Sequence, residues 1–349
     1  CKHFGKKHAI AVNSATSGLH AALMAMDLTP GDEVIVSPYT MHASATMIVM
    51  CGGIPVFADI DPATYCITPE SVEALVTPRT KGIVAVNIFG HPADLDRLKT
   101  IADKHGLFLL EDNAQAPDAI YRGRKTATIG DAGVFSFNRH KTMQCGEGGV
   151  IITDDDRIAK KAALFRNHGE TVVGAWGETD LVNTLGVNYR MCEMEAAVAL
   201  IQFNKLAELN AARIALCDRI SANLADVPGI TPPQVMADCR HVYYFYVMQY
   251  DEAVTGIPPD LFVKAFMAEG LPVRGGYLKP LYMEPMYQQK AGIGRDGFPW
   301  SLTEAGRKIS SARGICPTVE HLQEKRVLLT AYMYPPLTTA DMDRYVEAM

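Results

Sequence analysis

Short apolar runs alternate with helix-like stretches through the first half of the chain. The runs that predict strands are HAIAV (8–12), EVIVS (33–37), GGIPVFADI (52–60), GIVAVNIFG (82–90), LFLLED (107–112), AGVFSF (132–137) and GVIITDD (149–155). The stretches that predict helices are 14–26, 69–76 and 93–106. This alternation favours an α/β fold, with a large domain whose mostly parallel sheet, of the seven-stranded type, is flanked by helices.

The pattern changes near residue 191. From Cys192 to Leu224 the helical periodicity continues without Pro or Gly, which predicts one long helix. After the break at 227–233, the segments HVYYFYVMQYD (241–251) and 258–276 predict a strand, a helix and a strand, and 338–349 predicts a last helix. We therefore expect a large domain at 1–205. A smaller C-terminal α+β domain, with the long helix as connection, is expected at 206–349.

Composition narrows the class of protein. The 349 residues are 48% hydrophobic and 21% charged, which excludes disorder and low complexity, and the net charge of −6 gives no footprint for nucleic acid. No apolar run approaches the eighteen residues of a membrane span. The eight cysteines are scattered without a CxxC pair, which is typical of reduced thiols in a cytoplasmic protein. The chain opens at Cys1 without Met or a signal peptide, and we expect that a natural N-terminal segment precedes it.

Several familiar motifs are absent or misplaced. Gly292, Gly294 and Gly297 match G-x-G-x-x-G, but no strand precedes them and no helix follows, so a loop is expected rather than a dinucleotide site. HExxH, Walker A and GxSxG patterns do not occur, and the histidines lack ligand spacing. No metal site is predicted.

The segment FSFNRHKTMQCGEGGVI (135–151) places a lysine between a strand and a glycine-rich turn. Lys141 is either a solvated residue of a hairpin connection or a Schiff-base lysine, whose amine must be partly desolvated to act as a nucleophile.

Two further segments favour the second interpretation. Asp112 ends the strand LFLLED, at the edge where open α/β sheets bind ligands. It is either a helix cap or the partner of the pyridine nitrogen of pyridoxal 5′-phosphate (PLP). In NSATSGLHAAL (13–23), small hydroxyl residues precede a helix, whose N-terminus is either simply capped or binds a phosphate.

Together these segments resemble the fold-type I PLP enzymes, and more narrowly the DegT/StrS-type sugar aminotransferases. The resemblance covers nearly the whole chain, and the S-F-x-x-x-K-x-x-x-x-G-E-G-G match at 136–149 is its most specific part. Other matching segments are SPYT (37–40), PVFADID (55–61), GHPADLD (90–96), EDNAQA (111–116), GDAGVFSF (130–137), RNHG (166–169) and GVNYRMCEMEAA (186–197).

The resemblance implies a role for each matching residue. Lys141 and Asp112 are the implied catalytic residues: Lys141 forms the internal aldimine and moves the proton, and Asp112 pairs with the pyridine nitrogen. Gln115 lies near the phenolic oxygen of PLP. The implied phosphate binders are Thr16, Ser17 (through its backbone), Ser136 and, from the partner subunit, Asn188. Two positions depart from the family pattern, because Ala15 replaces a glycine and Met41 stands where an aromatic residue usually stacks on the ring; methionine sulfur can also cover a π face.

The resemblance implies transfer of an amino group from glutamate or glutamine to a keto-sugar, which the family suggests is nucleotide-linked, for polysaccharide or antibiotic biosynthesis. The family also implies a homodimer with shared active sites. Two alternatives are a PLP-dependent sugar dehydratase, which carries His at the lysine position, and a non-catalytic PLP-binding regulator. In the second half, Arg274 is either a contact to a phosphate or carboxylate or a surface charge. The segment 241–247 is read mainly as a core strand, and the loop 285–305 as either a lid or merely exposed.

Overall fold

The strands of the computed structural model, which describes residues 1–170 and 185–348, follow the predicted apolar runs. In chain order they are β1 His8–Val12, β2 Glu33–Val36, β3 Ile54–Phe57, β4 Thr80–Val86, β5 Phe108–Asp112, β6 Ile120–Tyr121, β7 Arg124–Lys125, β8 Ala132–Ser136, β9 Gly149–Thr153, β10 Ile230–Thr231, β11 Cys239–Arg240, β12 Tyr246–Tyr250, β13 Arg274–Gly275 and β14 Val327–Thr330.

The helices confirm the predicted pattern and add to it. They are α1 Ala15–Ala25, α2 Ala43–Met50, α3 Pro69–Ala74, α4 Leu95–His105, α5 Asp156–Arg166, α6 Glu193–Leu224, α7 Glu252–Thr255, α8 Pro259–Ala268, α9 Pro285–Gln288, α10 Glu304–Lys308, α11 Pro317–His321 and α12 Thr339–Glu347. A π-helical turn spans Leu322–Arg326. In the part of the chain that the structure describes, no helix has both the length and the apolar character of a bilayer span.

The large sheet has the order β1-β9-β8-β5-β4-β2-β3. The pairs among β3, β2, β4, β5 and β8 are parallel, and β9 runs antiparallel to both of its neighbours. The predicted α/β fold with a mostly parallel, seven-stranded sheet is therefore confirmed. Because only β9 is reversed, its first residue lies at the same sheet edge as the last residues of the other strands.

Helices pack on this sheet because doing so buries their apolar faces. In α4, the buried residues Leu95, Leu98, Ile101 and Ala102 follow helical spacing, and the helix ends at Gly106 in the left-handed conformation (φ 66°). α1 is buried along most of its length, and the side chains of Val12, Val134 and Ile151 lie within 3.5 Å of where a Cβ on Gly18 would sit. This close approach fixes the start of α1 near the sheet edge.

The second half adds a four-stranded antiparallel sheet in the order β10-β12-β14-β13. Its core combines the last turns of α6 with α8 and α12, through residues such as Leu216, Ile220, Phe266 and Tyr345. The smaller α+β part is thus present as expected. The predicted division between residues 205 and 206 falls inside α6 and stays a prediction.

One predicted strand begins later than expected. The apolar segment at 241–251 predicts a strand from His241, but β12 starts at Tyr246. The reason is that the Val242 and Phe245 N–H groups bond to the carbonyls of Gly90 and Phe89, at 3.0 and 3.3 Å, instead of pairing in the sheet. This irregular segment brings the second half of the chain against the carboxyl edge of the large sheet.

Candidate active site

A cavity of about 1040 Å³ opens at the carboxyl edge of the large sheet. Open α/β sheets bind their ligands at this edge because the loops after parallel strands converge there. Among the eight residues predicted to bind the cofactor, those that line the cavity are Thr16, Met41, Asp112, Gln115, Ser136 and Lys141. Ser17 and Asn188 do not line it.

The start of α1 forms the first wall of the cavity. Ser14 caps the helix, because its Oγ accepts a hydrogen bond of 3.1 Å from the Ser17 N–H, and the Ser17 hydroxyl donates to Asn13 Oδ1 at 2.5 Å. The Ser17 N–H is thus engaged in the cap, and its predicted role in binding phosphate through its backbone stays a prediction. Ala15 and Thr16 hold the first two helical positions, whose N–H groups have no helical carbonyl to bond and are available to an anion.

The ends of β8 and β9 form the opposite side of this helix terminus. Ser136 ends β8, is buried and lines the cavity, and it pairs with Gly149 at the start of β9. A Cβ on Gly149 would lie 2.8 Å from the Ala15 nitrogen and 2.7 Å from the Phe135 carbonyl oxygen. Both neighbours are backbone atoms, which cannot rotate away. Glycine at 149 is what allows the helix start to sit against the sheet edge.

Asp112 is the buried carboxylate of the cavity. Its Oδ2 accepts a hydrogen bond of 2.7 Å from the Ser44 hydroxyl, and its Oδ1 accepts one of 3.1 Å from the Ala114 N–H. The Thr40 and Ser44 hydroxyls are 3.0 Å apart, which extends the network. Burial raises the pKa of Asp112, while these two bonds and the charge of Lys141 act in the opposite direction. The carboxylate is thus held in a dry site by donors that favour its charged form.

Lys141 extends into the same cavity from the turn after β8. Its N–H bonds to the Asn138 carbonyl at 2.8 Å, and its Nζ lies 4.4 Å from the ring centroid of Tyr244. Burial lowers the pKa of Lys141 to about 8, and the Asp112 carboxylate acts in the opposite direction. His140 is exposed at the rim. The amine of Lys141, partly desolvated, has the character that a nucleophilic lysine needs.

Gln115 is fixed by a hydrogen-bond network that reaches the second half of the chain. Its Oε1 accepts from the Phe89 N–H at 2.7 Å, and its Nε2 donates to the Tyr277 hydroxyl at 3.1 Å. The Tyr277 N–H and the Tyr39 hydroxyl both donate to Gln323 Oε1, at 2.7 and 2.8 Å. Gln323 lies in the π-helical turn, a type of element that is frequent at functional sites. The side chain of Gln115 is therefore held in one orientation.

Arg213 is a cavity residue that the sequence analysis missed. One of its guanidinium nitrogens donates to the carbonyls of Tyr243 and Tyr244, at 3.2 and 3.4 Å. Its Nε is buried and has no hydrogen-bond partner among the described residues. In the sequence Arg213 is one polar position in a long helical pattern, so nothing marks it as a site residue. The structure shows that it borders the cavity from α6.

Arg274 also lines the cavity, on the side of the second half of the chain. Its guanidinium lies 5.6 Å from the ring centroid of Phe245 and 5.7 Å from that of Tyr277. The side chain is exposed at the edge of the cavity, so a substrate contact and a surface charge both remain open as interpretations of Arg274.

Met41 and Asn188 differ in their relation to the cavity. Met41 lies at its rim and is 50% exposed, and its predicted role of covering the cofactor ring stays a prediction. Asn188 is exposed outside the cavity and forms an isolated bridge with Asn167. Its predicted role, from the partner subunit, stays a prediction.

The loop 285–305 does not border the cavity. Trp300 is buried in the main core, and a Cβ on Gly52 would lie 3.2 Å from the Phe298 ring. Gly52 precedes β3, so the loop is anchored near the amino ends of the strands. The Tyr287 ring of the same loop lies 5.2 Å from the ring of Phe57, at the carboxyl end of β3, so the loop contacts both ends of this strand. Its interpretation as a lid stays a prediction.

The polar residues that line the cavity are suited to binding PLP. The buried Thr142 Oγ1, next to Lys141, has no hydrogen-bond partner among the described residues, and neither has the Arg213 Nε. Buried polar groups are normally satisfied, so partnerless atoms at the wall of a large cavity are consistent with a bound polar molecule. The helix terminus at Thr16 suits a phosphate, Asp112 suits a protonated ring nitrogen, and Lys141 suits an aldehyde.

Comparison with known proteins agrees with this geometry. The model of the DegT/DnrJ/EryC1/StrS aminotransferase family matches residues 1–329. The chain is 34% identical over 352 residues to the spore coat polysaccharide biosynthesis protein SpsC of Bacillus subtilis, covering 99% of this chain and 85% of SpsC.

Two solved structures show the same fold. An aminotransferase from Psychrobacter cryohalolentis is 31% identical with a TM-score of 0.86, over 99% of this chain and 87% of that chain. DesI, solved in the presence of its TDP-sugar product, is 31% identical with a TM-score of 0.82, over 99% of this chain and 80% of that chain.

Proposed function

The chain belongs to the DegT/DnrJ/EryC1/StrS aminotransferase family, and from that premise we propose that it transfers an amino group from glutamate or glutamine to a keto-sugar with PLP as cofactor. One observation carries the proposal: the partly desolvated Lys141 amine and the buried Asp112 carboxylate share one cavity with a helix terminus suited to phosphate. The chain is an aminotransferase by family; the donor, the sugar and the use of PLP are the proposed parts.

The residues that would hold PLP have distinct tasks. When bound, PLP supplies an electron sink for breaking a bond at the α-carbon of the amino donor. The N–H groups of Ala15 and Thr16, with the Ser136 hydroxyl, would bind the phosphate. Ser44 and Ala114 donate to Asp112 and favour its charged form against the effect of burial, so it would pair with the protonated ring nitrogen. Gln115 would lie near the phenolic oxygen.

Lys141 moves the proton. With PLP bound, its Nζ would act as general base at the α-carbon of the amino donor and then as general acid at C4′ of the cofactor. Both roles require a pKa near the working pH. Burial lowers the pKa of Lys141 to about 8, close enough to neutrality for both protonation states to be populated. An ordinary lysine, with a pKa near 10.4, would remain charged and serve only as an acid.

A nucleotide-linked keto-sugar is the acceptor that the site supports best. Arg213 and Arg274 also line the cavity, in addition to the phosphate cradle formed by Ala15, Thr16 and Ser136, and guanidinium groups bind phosphates well. Among the relatives, SpsC belongs to polysaccharide biosynthesis and DesI was solved with a TDP-sugar product. We extend this chemistry to the present chain, for amino-sugar synthesis toward a polysaccharide or an antibiotic.

We also propose a homodimer with shared sites. Several large apolar side chains are exposed before and within the first turns of α6: Leu185 (70%), Met194 (78%), Leu200 (67%) and Ile201 (59%). Exposed apolar patches of this kind are typical of protein–protein interfaces. Asn188 lies exposed in the same stretch, and in such a dimer it would bind the phosphate of the partner's cofactor. The eight cysteines, all within the described residues, are unpaired, which supports a reducing, cytoplasmic location.

The two alternatives make different demands on the same residues. A dehydratase of this fold would need His in place of the lysine, but His140 is exposed at the rim, where its Nε2 accepts a bond from the Arg139 Nε at 3.2 Å. A regulator would have no use for a desolvated lysine beside a buried carboxylate. Both observations support transamination over these alternatives.

The test uses the full chain loaded with PLP, ¹⁵N-labelled glutamate or glutamine, and a panel of nucleotide-linked keto-sugars. We expect ¹⁵N to appear in an amino-sugar product, and the Lys141→Ala variant to lose this transfer by at least about a thousandfold, as for other proton-transfer residues. Deoxysugar without label would support the dehydratase. Absence of conversion of bound PLP by any donor would support the regulator.

A further inference from the structure

The amine of Lys141 contacts an aromatic face. Its Nζ lies 4.4 Å from the ring centroid of Tyr244, within the distance at which a cation is attracted to a π face. We propose that Tyr244 is a positioning residue, whose ring face is the docking place of the free Lys141 ammonium whenever that amine is not bonded to the cofactor. The proposal rests on the proposed function, in which the lysine is released and must then carry a proton.

The backbone of Tyr244 is held on both sides. The Arg213 guanidinium donates to the carbonyls of Tyr243 and Tyr244, and the Val242 N–H donates to Gly90. Tyr243 has a φ of 49°, the left-handed region that non-glycine residues rarely adopt. Because the surrounding contacts impose this conformation, the position of the Tyr244 ring is set by the fold rather than by a ligand.

The charges that face this cavity explain why a neutral ring is useful there. The charged and titratable side chains that line it with Lys141 and Tyr244 are Asp112, Arg139, His140, Glu147, Arg213, Arg274, Tyr277 and Tyr334. Asp112 attracts the amine of Lys141. With PLP bound, the Asp112 charge would be partly neutralised by the protonated ring nitrogen and would attract the Lys141 ammonium less. The Tyr244 ring would still stabilise that ammonium without an ion pair.

This arrangement has a defined chemical consequence. A π face favours the charged amine over the neutral one, so it opposes the effect of burial on the pKa of Lys141. The attraction is weak compared with a buried ion pair, so the amine is free to leave the ring and act at the reacting carbons. Tyr244 thus acts through Lys141, by influencing when this lysine holds its proton.

The experiment measures the titration of Lys141 in the apoprotein. Full-length apoprotein is mixed with PLP over a range of pH, and the rate of forming a borohydride-reducible bond to Lys141 is recorded. The rate rises as the amine loses its proton, so its midpoint reports the pKa of Lys141. No amino donor or sugar is needed, so a failure of the proposed transamination is recognised separately, by the ¹⁵N assay.

Three substitutions isolate the ring. Tyr244→Phe keeps the π face and is expected to keep the midpoint of the parent chain. Tyr244→Leu removes the face, and Tyr244→Met does so with an unbranched side chain in case the leucine variant folds poorly. Both are expected to lower the midpoint by about 0.4 to 1.5 pH units. This is the change in the pKa of Lys141 that corresponds to losing the free energy of one cation–π contact. Tyr332→Leu, at an exposed tyrosine outside the cavity lining, is the matched control.

The outcomes are decisive in both directions. A lowered midpoint in Tyr244→Leu or Tyr244→Met, with no change in Tyr244→Phe and Tyr332→Leu, supports the proposal. An unchanged midpoint in a folded Leu or Met variant overturns it. A Phe variant that behaves like the Leu variant also overturns it, because the hydroxyl and not the ring would then be responsible. Thermal unfolding of each apoprotein establishes that it is folded.

Discussion

Gly149 offers a sharp test of the phosphate cradle. In the Gly149→Ala variant, the new methyl group would lie 2.8 Å from the Ala15 nitrogen, about 0.6 Å inside the 3.4 Å at which ordinary contact begins. The carbonyl oxygen of Phe135 is equally close, at 2.7 Å. Because both neighbours are backbone, relief requires the start of α1 to move away from β9.

That displacement has a calculable effect on PLP binding. A shift of several tenths of an ångström lengthens the hydrogen bonds from the Ala15 and Thr16 N–H groups to the phosphate beyond their favourable range. A hydrogen bond to a charged group is worth about 1.5–3 kcal/mol. Loss of one such bond therefore weakens PLP binding by about 10- to 150-fold.

The assay is a titration of the apoprotein with PLP, followed by absorbance or tryptophan fluorescence. The matched control is Gly275→Ala, where the nearest atom to the new Cβ, Val263 Cγ2, is 3.9 Å away. We expect the control to bind PLP within about twofold of the parent chain, since no atom needs to move. If Gly149→Ala binds PLP as tightly as Gly275→Ala while both are folded, the cradle is assigned to the wrong place.

Three further predictions address the carboxylates, the lysine and the domain contact. Ser44→Ala removes a hydrogen-bond donor to ionised Asp112, which raises the pKa of Asp112. The acid limb of the pH profile of kcat/KM should therefore move up by about 1–2 pH units. An unmoved limb would show that Asp112 does not titrate in catalysis. Because burial lowers the pKa of Lys141 to about 8, the rate at which apoprotein couples to PLP should level off above pH 8 to 9 rather than above 11. Gln323→Leu leaves the Tyr277 N–H unpaired and should weaken PLP binding, measured by titration of the apoprotein with PLP. Gln323→Glu keeps an acceptor for this N–H and should retain most of the PLP affinity of the parent chain. Equal PLP binding by both variants would argue against the Gln115 network.

The elements that sequence predicted well have a clear local pattern. The strands of the large sheet are short runs of Val, Ile and Leu, which are recognisable because parallel strands are buried on both faces. α2 (Ala43–Met50) was not among the predicted elements, since its apolar residues surround the helix and give no periodicity. The hairpin of β6 and β7 has two-residue strands, too short for an alternating pattern, and it depends on pairing with β11.

The same distinction applies to the site. Lys141 and Asp112 were identifiable because each follows an apolar strand and stands next to residues of a distinctive motif. Ser44, Arg213 and Gln323 were not, since each is an ordinary polar position in its own segment and meets the site only through tertiary contacts. No local pattern encodes such a meeting.

Ser17 shows a different limit. Its position after β1 was identified from the sequence, but the sequence does not show whether Ser14 or a ligand takes its N–H group. That depends on the rotamer of Ser14, whose hydroxyl accepts the Ser17 N–H in this structure.

Lys141 is the residue on which the proposed chemistry depends most, because it is the one expected to bond the cofactor. The direct measurement is borohydride reduction of the PLP-loaded full chain, followed by peptide mass spectrometry. We expect the pyridoxyl group on the peptide that carries Lys141, at close to one per chain, and its absence from the Lys141→Ala variant. A pyridoxyl group on a different lysine at full occupancy, with Lys141 unmodified, would contradict the account.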